Sequence, residues 1–551
     1  MEEKEVESSN SSIQVKNDFQ MEFDSSWESL LENKAFLKLF LRDILEKYIK
    51  DQRWYAGKSS TLKYIELSHD FKIEQNAELY YGLILEINFK EAFFQHYFIP
   101  LAFVTDEEFA REDVLMNITL NGVKGYLVDA VHIEAFRKLV FERIIQSDNS
   151  PNIGVQYHKG NSFKDTEYVS SRLMGKEQSN TSIIINDHCV IKFFRRLFSD
   201  RNPDYEISRF LSDKANFSNV PRYQGSINVL EETGNTVTIA LMQEMVPNEG
   251  EAWSVMVDDL DKIFQNLELK QIDLKKVPDT PFLLRLGIQD VPPEIIDIAG
   301  LRVFLQLQQL ARRTAEMHSA LGSEFEETAF EPQRFNADYD VWLKNKLIYQ
   351  FQDRLNMVEN NLHKLEGLSL ELAEKFLENK GEIRRRFMSF NWTKLKGERL
   401  RVHGDYHLGQ ILVHKDDYFI LDFEGEPEST IRDRKVKQPP LKDVAGLFRS
   451  FHYAIYSNIL TNKDNYPYTQ DELFGVGEKL YRFFCGVFLM TYTNYIQKAN
   501  INIGYDQERV FLLKYLLLEK AVYELGYEMN ARPDWALIPL QGIDSLMKEQ
   551  L

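Results

Sequence analysis

The 551-residue sequence predicts an α+β chain in which a β-rich lobe leads into a mostly helical lobe, with a smaller α+β unit ahead of both. Three observations predict it. Residues 22–130 combine one amphipathic helix with β-rich runs, residues 131–246 turn β-rich after an opening helix, and from 247 onward helical patterns dominate. At roughly 150 residues per domain, the length allows about three or four folding units and a sizeable core. Hydrophobic residues at 44% and charged residues at 27% are values of an ordinary folded protein.

The elements follow in order. Residues 1–21, acidic and then serine-rich, read as a disordered, solvated tail. Trp27 to Lys50 has the spacing of an amphipathic helix, and Tyr80 to Phe89 and Phe93 to Leu101 carry the aromatic and branched residues that strands favour. Arg53-Trp54-Tyr55-Ala56-Gly57-Lys58 reads as a structural turn. It is not a phosphate loop, because Gln52 stands where a Walker A motif needs glycine. In the second region a helix, His132 to Ile145, precedes strands at Thr166 to Leu173, Thr181 to Ile185 and Cys189 to Phe194. Asn186-Asp187 forms the tight turn between the last two. Asn202 caps the next helix, with Pro203 at its first position. Thr236 to Met242 is a further strand, and Gln243 to Val246 is the hinge into the helical lobe. There, Val303, Leu307, Leu310, Thr314, Met317 and Leu321 make one buried helical seam.

Charge and cysteine content exclude several classes. With 66 basic and 85 acidic residues the net charge is −19, which repels nucleic acid and anionic membranes and requires any anionic ligand to be held by a local basic site. Cys189 and Cys485, the two cysteines, make neither a disulfide framework nor a zinc pair, as expected in a reducing cytoplasm. The N-terminus lacks signal-peptide character, and the apolar stretch Phe483 to Gln497 is too short to span a bilayer.

The chemistry is concentrated in Arg401 to Glu424. Ile411 to His414 and Tyr418 to Phe423 are short apolar runs around a polar turn centred near 416, so they pair as a hairpin. Gln410 and Asp422 then lie side by side at its open end, next to the loop carrying Asp405. Two carboxylates and an amide oxygen form a ligand set for Mg²⁺ with one carboxylate left as a base. Kinases use this pattern: a base in a catalytic loop, an amide five residues on, and a second Asp beyond a hairpin. His403 and His407 share a metal-like spacing, but they stand on a loop and not on one helical face.

His403-Gly404-Asp405-Tyr406-His407-Leu408-Gly409-Gln410 and Leu421-Asp422-Phe423-Glu424-Gly425-Glu426-Pro427 resemble the signature of the maltokinases, relatives of the aminoglycoside phosphotransferases. The resemblance extends to Arg53–Lys58, Glu177–Ser182, Asp443–Ser450 and Arg532–Trp535, in order along almost the whole chain. It implies a bilobal protein-kinase-like fold: an N-terminal cap domain at 22–130, an ATP-binding N-lobe at 131–246, and a C-lobe at 247–551 with the catalytic loop and sugar site. It implies Asp405 as catalytic base and Gln410 and Asp422 as Mg²⁺ ligands. Gln at the metal position departs from the Asn of most phosphotransferases. Glu424 replaces the glycine of the kinase DFG triplet and can support the metal or a sugar hydroxyl.

ATP requires more than these. Lys192 matches the kinase lysine on the α- and β-phosphates, with Glu206 as its ion-pair partner. Ser179, Asn180 and Thr181 occupy the phosphate-covering position, and Glu244 to Val246 the adenine hinge. Asp443 is expected to rigidify the catalytic loop, and the basic run Arg432 to Lys437 lies where kinases place their activation segment. Sugar contacts are assigned to His403, Glu424, Tyr523, Glu524, Tyr527 and Arg532. The reading is a cytoplasmic maltokinase making maltose 1-phosphate from ATP, which routes trehalose-derived maltose into α-glucan or glycogen. An acceptor such as glucosamine, another monosaccharide or an aminoglycoside is the alternative. From another class comes a catalytically silent subunit of a partner such as trehalose synthase.

Overall fold

The computed structural model describes residues 21–549 apart from 76–77, 106–113, 148–153, 176–178, 232–233, 324–326 and 463–464. Part of the expected phosphate-covering loop, Lys176 to Gln178, lies outside the described residues. The chain forms two compact units, Met1–Arg201 with Gln224–Met245, and Asn202–Tyr223 with Val246–Leu551.

The first unit holds two sheets. Strands β1 (Met21–Phe23), β2 (Leu62–Gln75), β3 (Glu78–Phe89), β4 (Phe94–Val104), β5 (Val114–Leu120) and β6 (Val123–Asp129) form one, in the order β1-β5-β6-β4-β3-β2. The second runs β7-β12-β13-β10-β9-β8, from β7 (Val155–Lys159), β8 (Ser171–Leu173), β9 (Asn180–Ile185), β10 (Cys189–Phe194), β12 (Tyr223–Leu230) and β13 (Thr236–Glu244). A short strand, β11 (Arg196–Leu197), leaves β10 and pairs with β4 of the first sheet.

Two expectations need correction here. The helix expected at Trp27 to Lys50 is divided into a 3₁₀ segment Trp27–Glu32, helix α1 (Lys34–Leu39), a π segment Phe40–Ile44 and helix α2 (Leu45–Asp51). Asn33 makes the first break, because its side chain accepts the backbone N–H groups of Ala35 and Phe36 at 3.0 and 3.1 Å and so starts a new helix. The apolar face is nevertheless continuous, with Leu30, Phe36, Phe40, Leu45 and Ile49 all buried. The strand expected at Thr166 to Leu173 is only Ser171–Leu173. Asn186 takes the backbone groups a longer ladder would use, accepting from Val169 and Ser170 N–H and donating to the Glu167 carbonyl. Asn186 and Asp187 themselves make the tight turn, both left-handed at φ of 52° and 53°.

Helix α3 (Glu134–Gln146) packs Phe136 against Phe193 of β10, which stacks in turn on Phe98 of β4 at 6.0 Å. A buried ion pair ties the same two sheets together. Arg195, 2% exposed, meets Asp129 at 2.8 Å, and its Nε donates to Thr181 Oγ1 at 2.8 Å.

The second unit is mainly helical: α4 (Pro203–Asp213), α5 (Ala252–Leu269), α6 (Pro293–Ala299), α7 (Leu301–Leu321), α8 (Ala337–Asn361), α9 (Gly367–Glu378), α10 (Lys380–Met388), α11 (Ile431–Arg434), α12 (Leu441–Asn462), α13 (Gln470–Lys498), α14 (Asp506–Ala531) and α15 (Leu537–Lys548). Asn202 caps α4 as expected, accepting from Asp204 N–H at 2.8 Å. The seam Val303, Leu307, Leu310, Thr314, Met317 and Leu321 of α7 is buried throughout. Helix α12 runs through the core, and Gly446 on it allows close approach: a Cβ there would stand 2.7 Å from the Tyr406 carbonyl. Among the described residues no helix is long and apolar enough to cross a membrane.

Candidate active site

The site grows from a short ribbon. Strands β14 (Gln333–Arg334) and β15 (Glu398–Arg399) pair just before it, and β16 (Ile411–His414) and β17 (Asp417–Ile420) form the expected hairpin. Its turn, Lys415-Asp416, has both residues left-handed, at φ of 50° and 62°. Pairing Ile411 with Ile420 centres the register half a residue earlier than expected, so Gln410 lies opposite Leu421 and accepts its N–H at 2.9 Å. Asp422, at φ 62°, turns back, and Gln410 Nε2 donates to its Oδ2 at 2.9 Å. The tip is anchored to α7, where Arg313 and Gln309 donate to Asp417 at 2.7 and 2.8 Å. Burial would raise the Asp417 pKa, but these donors outweigh it and hold the group down at about 2.

The catalytic loop is held from behind. Asp443, 1% exposed on α12, accepts His403 N–H at 2.8 Å, Gly404 N–H at 2.9 Å and His318 Nε2 at 2.9 Å. Gly404 itself has φ of 87°, which favours glycine. His403 is buried and structural: Nε2 bonds the Leu421 carbonyl at 2.7 Å, and the ring packs on Tyr406 and Phe423. Its assigned sugar contact is thereby corrected to a scaffold role.

Asp405 projects half-buried from this loop, and Lys520 Nζ of α14 donates to its Oδ1 at 3.0 Å. Asp422, Glu424 and Asp204 bring one carboxylate oxygen each within 4.8 Å of one another. Asp204 is buried at the start of α4 and accepts Phe423 N–H at 3.1 Å. Hard oxygen donors clustered in this way, with Gln410 adjoining, suit a Mg²⁺ ion. Asp204 and Lys520 were not singled out in the sequence. The Asn202-Pro203 cap placed Asp204 in a helix's first turn, and only its closeness to Asp422, 218 residues on, gives it a site role.

Behind Asp405 lies a buried charge cluster. Glu426, 6% exposed, meets Lys346 at 3.2 Å and both Lys442 and Lys520 at 3.6 Å. Burial alone would raise its pKa, yet the three ammonium groups hold it well below the usual carboxylate range. Glu426 also lines a cavity of about 530 Å³, walled by Trp342, Lys346, Tyr349, Arg354 and Tyr523 among others.

The other assigned sugar residues divide. Tyr523 lines that cavity, with Lys520 Nζ 4.6 Å from its ring centre. Glu524 faces Arg449 at 2.8 Å inside the helical core and is 12% exposed, so its carboxylate is committed to the fold. Tyr527 is 54% exposed, and Arg532 pairs with Glu528 at 2.7 Å and stacks on Trp535; neither lines the cavity. In the basic run, Arg434 binds the carbonyls of Ser429, Glu424 and Pro427, Lys437 those of Thr328 and Glu331, and Lys435 pairs with Glu206 at 3.1 Å. Glu206 also meets Arg401 at 3.4 Å.

In the first unit, Lys192 lies half-buried on β10 opposite Leu241, and Ser179 is exposed beside buried Asn180. The Thr181 hydroxyl is engaged by Arg195. Glu244 is exposed at the end of β13, whereas Val246 is buried in the second unit and its carbonyl accepts from Asn248 Nδ2 at 2.9 Å.

Residues 48–132 match the maltokinase N-terminal cap domain. Over 379 residues the chain is 22% identical to a glucosamine kinase of Streptacidiphilus jiangxiensis, spanning 68% of this chain and 73% of that protein. A shorter match, 27% identical over 151 residues, links it to a glucosamine kinase of Mycolicibacterium smegmatis, with 27% of this chain and 35% of that one covered. A solved glucosamine kinase in complex with glucosamine, ADP and inorganic phosphate superposes with a TM-score of 0.59 at 16% identity, covering 89% of this chain and 95% of its own.

The fold is that of a protein-kinase-like phosphotransferase. The chain carries the maltokinase N-terminal cap domain and has sugar kinases among its relatives.

Proposed function

We propose that this protein transfers the γ-phosphoryl group of ATP to the anomeric hydroxyl of maltose, releasing ADP and maltose 1-phosphate, a precursor for α-glucan synthesis. The observation that supports it most is the cluster of Asp204, Asp422 and Glu424, with Gln410 bonded to Asp422, in a chain with a maltokinase cap. Asp405 accepts a hydrogen bond from the attacking hydroxyl, aims it at the γ-phosphorus and takes its proton as the new O–P bond forms. Asp443 fixes the loop that aims Asp405. Gln410, Asp422, Glu424 and Asp204 would hold Mg²⁺, which when bound supplies charge neutralisation at the phosphate oxygens. Lys192 is assigned to the α- and β-phosphates, Ser179, Asn180 and Thr181 to the phosphate-covering loop, and Glu244 to Val246 to adenine; Glu206, expected as the partner of Lys192, pairs with Lys435 and Arg401 and is withdrawn from that role. The domain division at 130 and 246 belongs to the same reading.

The relatives named as glucosamine kinases favour a second acceptor, an amino sugar. An acceptor screen with the purified chain, ATP and Mg²⁺ decides between them, because turnover on glucosamine with none on maltose removes the leading choice. Asp405→Asn should lower kcat by about 10²- to 10⁴-fold, the usual contribution of a general base. A folded Asp405→Asn protein with full sugar-dependent ADP release would overturn the assignment of the base.

A further inference from the structure

Lys520 neither takes the proton nor holds the metal, yet it stands against the base. Its ammonium stands 3.0 Å from Asp405 and 3.6 Å from Glu426, with 16% of the side chain exposed. Burial works against that charge, but Asp405 and Glu426 hold the group well above the ordinary lysine value, so it stays cationic. Of the carboxylates around Lys520, Glu426, Glu519 and Glu524 already have basic partners. Glu426 serves Lys346, Lys442 and Lys520, Glu519 pairs with Lys442 at 3.0 Å, and Glu524 is taken by Arg449. Further along the cavity wall, Asp353 and Glu428 flank Arg354 at 2.5 and 2.6 Å, and Asp433 accepts from Trp342 Nε1 and Thr430.

We propose that Lys520 is a specificity-determining residue of the acceptor site, selecting sugars that are uncharged beside the reacting hydroxyl and rejecting those that carry an ammonium there. The proposal rests on the sugar-kinase reading of Asp405. A hydroxyl delivered to Asp405 comes within reach of a carboxylate whose other partner is an ammonium. A neighbouring sugar hydroxyl accepts a hydrogen bond from Lys520 Nζ, whereas an ammonium on the adjacent carbon has no lone pair to offer. It meets like charge in a site shielded from water, where Coulomb terms are several times larger than in bulk solvent. Glucosamine differs from glucose by this one group.

The test measures kcat/KM of the full chain for maltose, glucose and glucosamine at about pH 6.5 and about pH 9, either side of a sugar amine titrating near about 8, like an α-amino group. At the lower pH the best neutral sugar is expected to exceed glucosamine by at least about ten-fold, a difference of about 1.4 kcal/mol. Glucosamine should gain relative to it as pH rises. Lys520→Gln should narrow the ratio by at least about ten-fold, whatever it does to turnover itself, and Lys520→Arg should keep it. Glucosamine preferred by the natural protein at the lower pH, or a ratio unchanged in an active Lys520→Gln, overturns the proposal. If Lys520→Gln is inactive, the natural protein's pH profile decides, and a flat ratio refutes the role. Absence of ADP release with every sugar is a different result and removes the kinase reading on which the proposal stands.

Discussion

Replacing Asp443 with Asn tests how the catalytic loop is held. The carboxylate receives two backbone N–H groups, of His403 at 2.8 Å and Gly404 at 2.9 Å, and His318 Nε2 at 2.9 Å. Asparagine keeps one neutral acceptor and turns an NH₂ toward a donor. Hydrogen bonds to a charged partner contribute about 1.5–3 kcal/mol each, so about 3 kcal/mol of loop stability should be lost. At 1.36 kcal/mol per factor of ten, opening of the loop becomes about 100-fold more frequent. Hydrogen–deuterium exchange of peptides covering 400–406 reads this directly, and kcat should fall with it. The acid response has a definite sign. Burial would raise the Asp443 pKa, but His318, His403 and the loop N–H groups lower it below 3.8, so its stabilisation is present above that value and is lost as pH falls further. Exchange of 400–406 unchanged within a factor of about three would refute the reasoning.

Two further predictions concern buried charge. Arg195→Met should destabilise the first unit by about 3–5 kcal/mol, because it leaves Asp129 buried without its partner, and adding Asp129→Leu should recover most of the loss. The transition of that unit is the quantity to follow, since a chain of two units need not unfold in one step. Glu426→Gln should flatten the acid side of the stability profile: the depressed native pKa of Glu426 means its contribution is full above the unfolded value of about 4.5 and disappears below it, and an acid titration followed by tryptophan fluorescence compares the two proteins.

The parts legible in the sequence were those decided by near neighbours. The hairpin around Lys415-Asp416, the Asn186-Asp187 turn and the Asn202 cap each depend on a few consecutive residues. So does the closeness of Gln410 and Asp422, twelve residues apart across that hairpin. Local pattern failed where a single polar side chain interrupts it, as Asn33 divides the first helix and Asn186 shortens the strand before it. It also failed over distance. Lys520 reaches Asp405 across 115 residues, and Asp204 joins Asp422 from the far end of the second unit. Glu524 has the helical spacing of a cavity residue, but α14 turns it toward Arg449, and no periodicity reports which helix stands on which side.

Arg195 bears on how such a protein could have been assembled. Its charge is satisfied by Asp129, the last residue of β6 in the cap sheet, and the strand that follows it lies on β4 of that sheet. A shortened chain beginning near residue 131 would therefore strip Asp129, the Phe98 carbonyl and the Trp54 ring from Arg195 and leave a strand with no edge to join. The cap is not a module that can be shed or borrowed whole: lineages that lost it would need compensating changes at 195–197, and a swap of caps between relatives should succeed only if the boundary carries that arginine and its aspartate together.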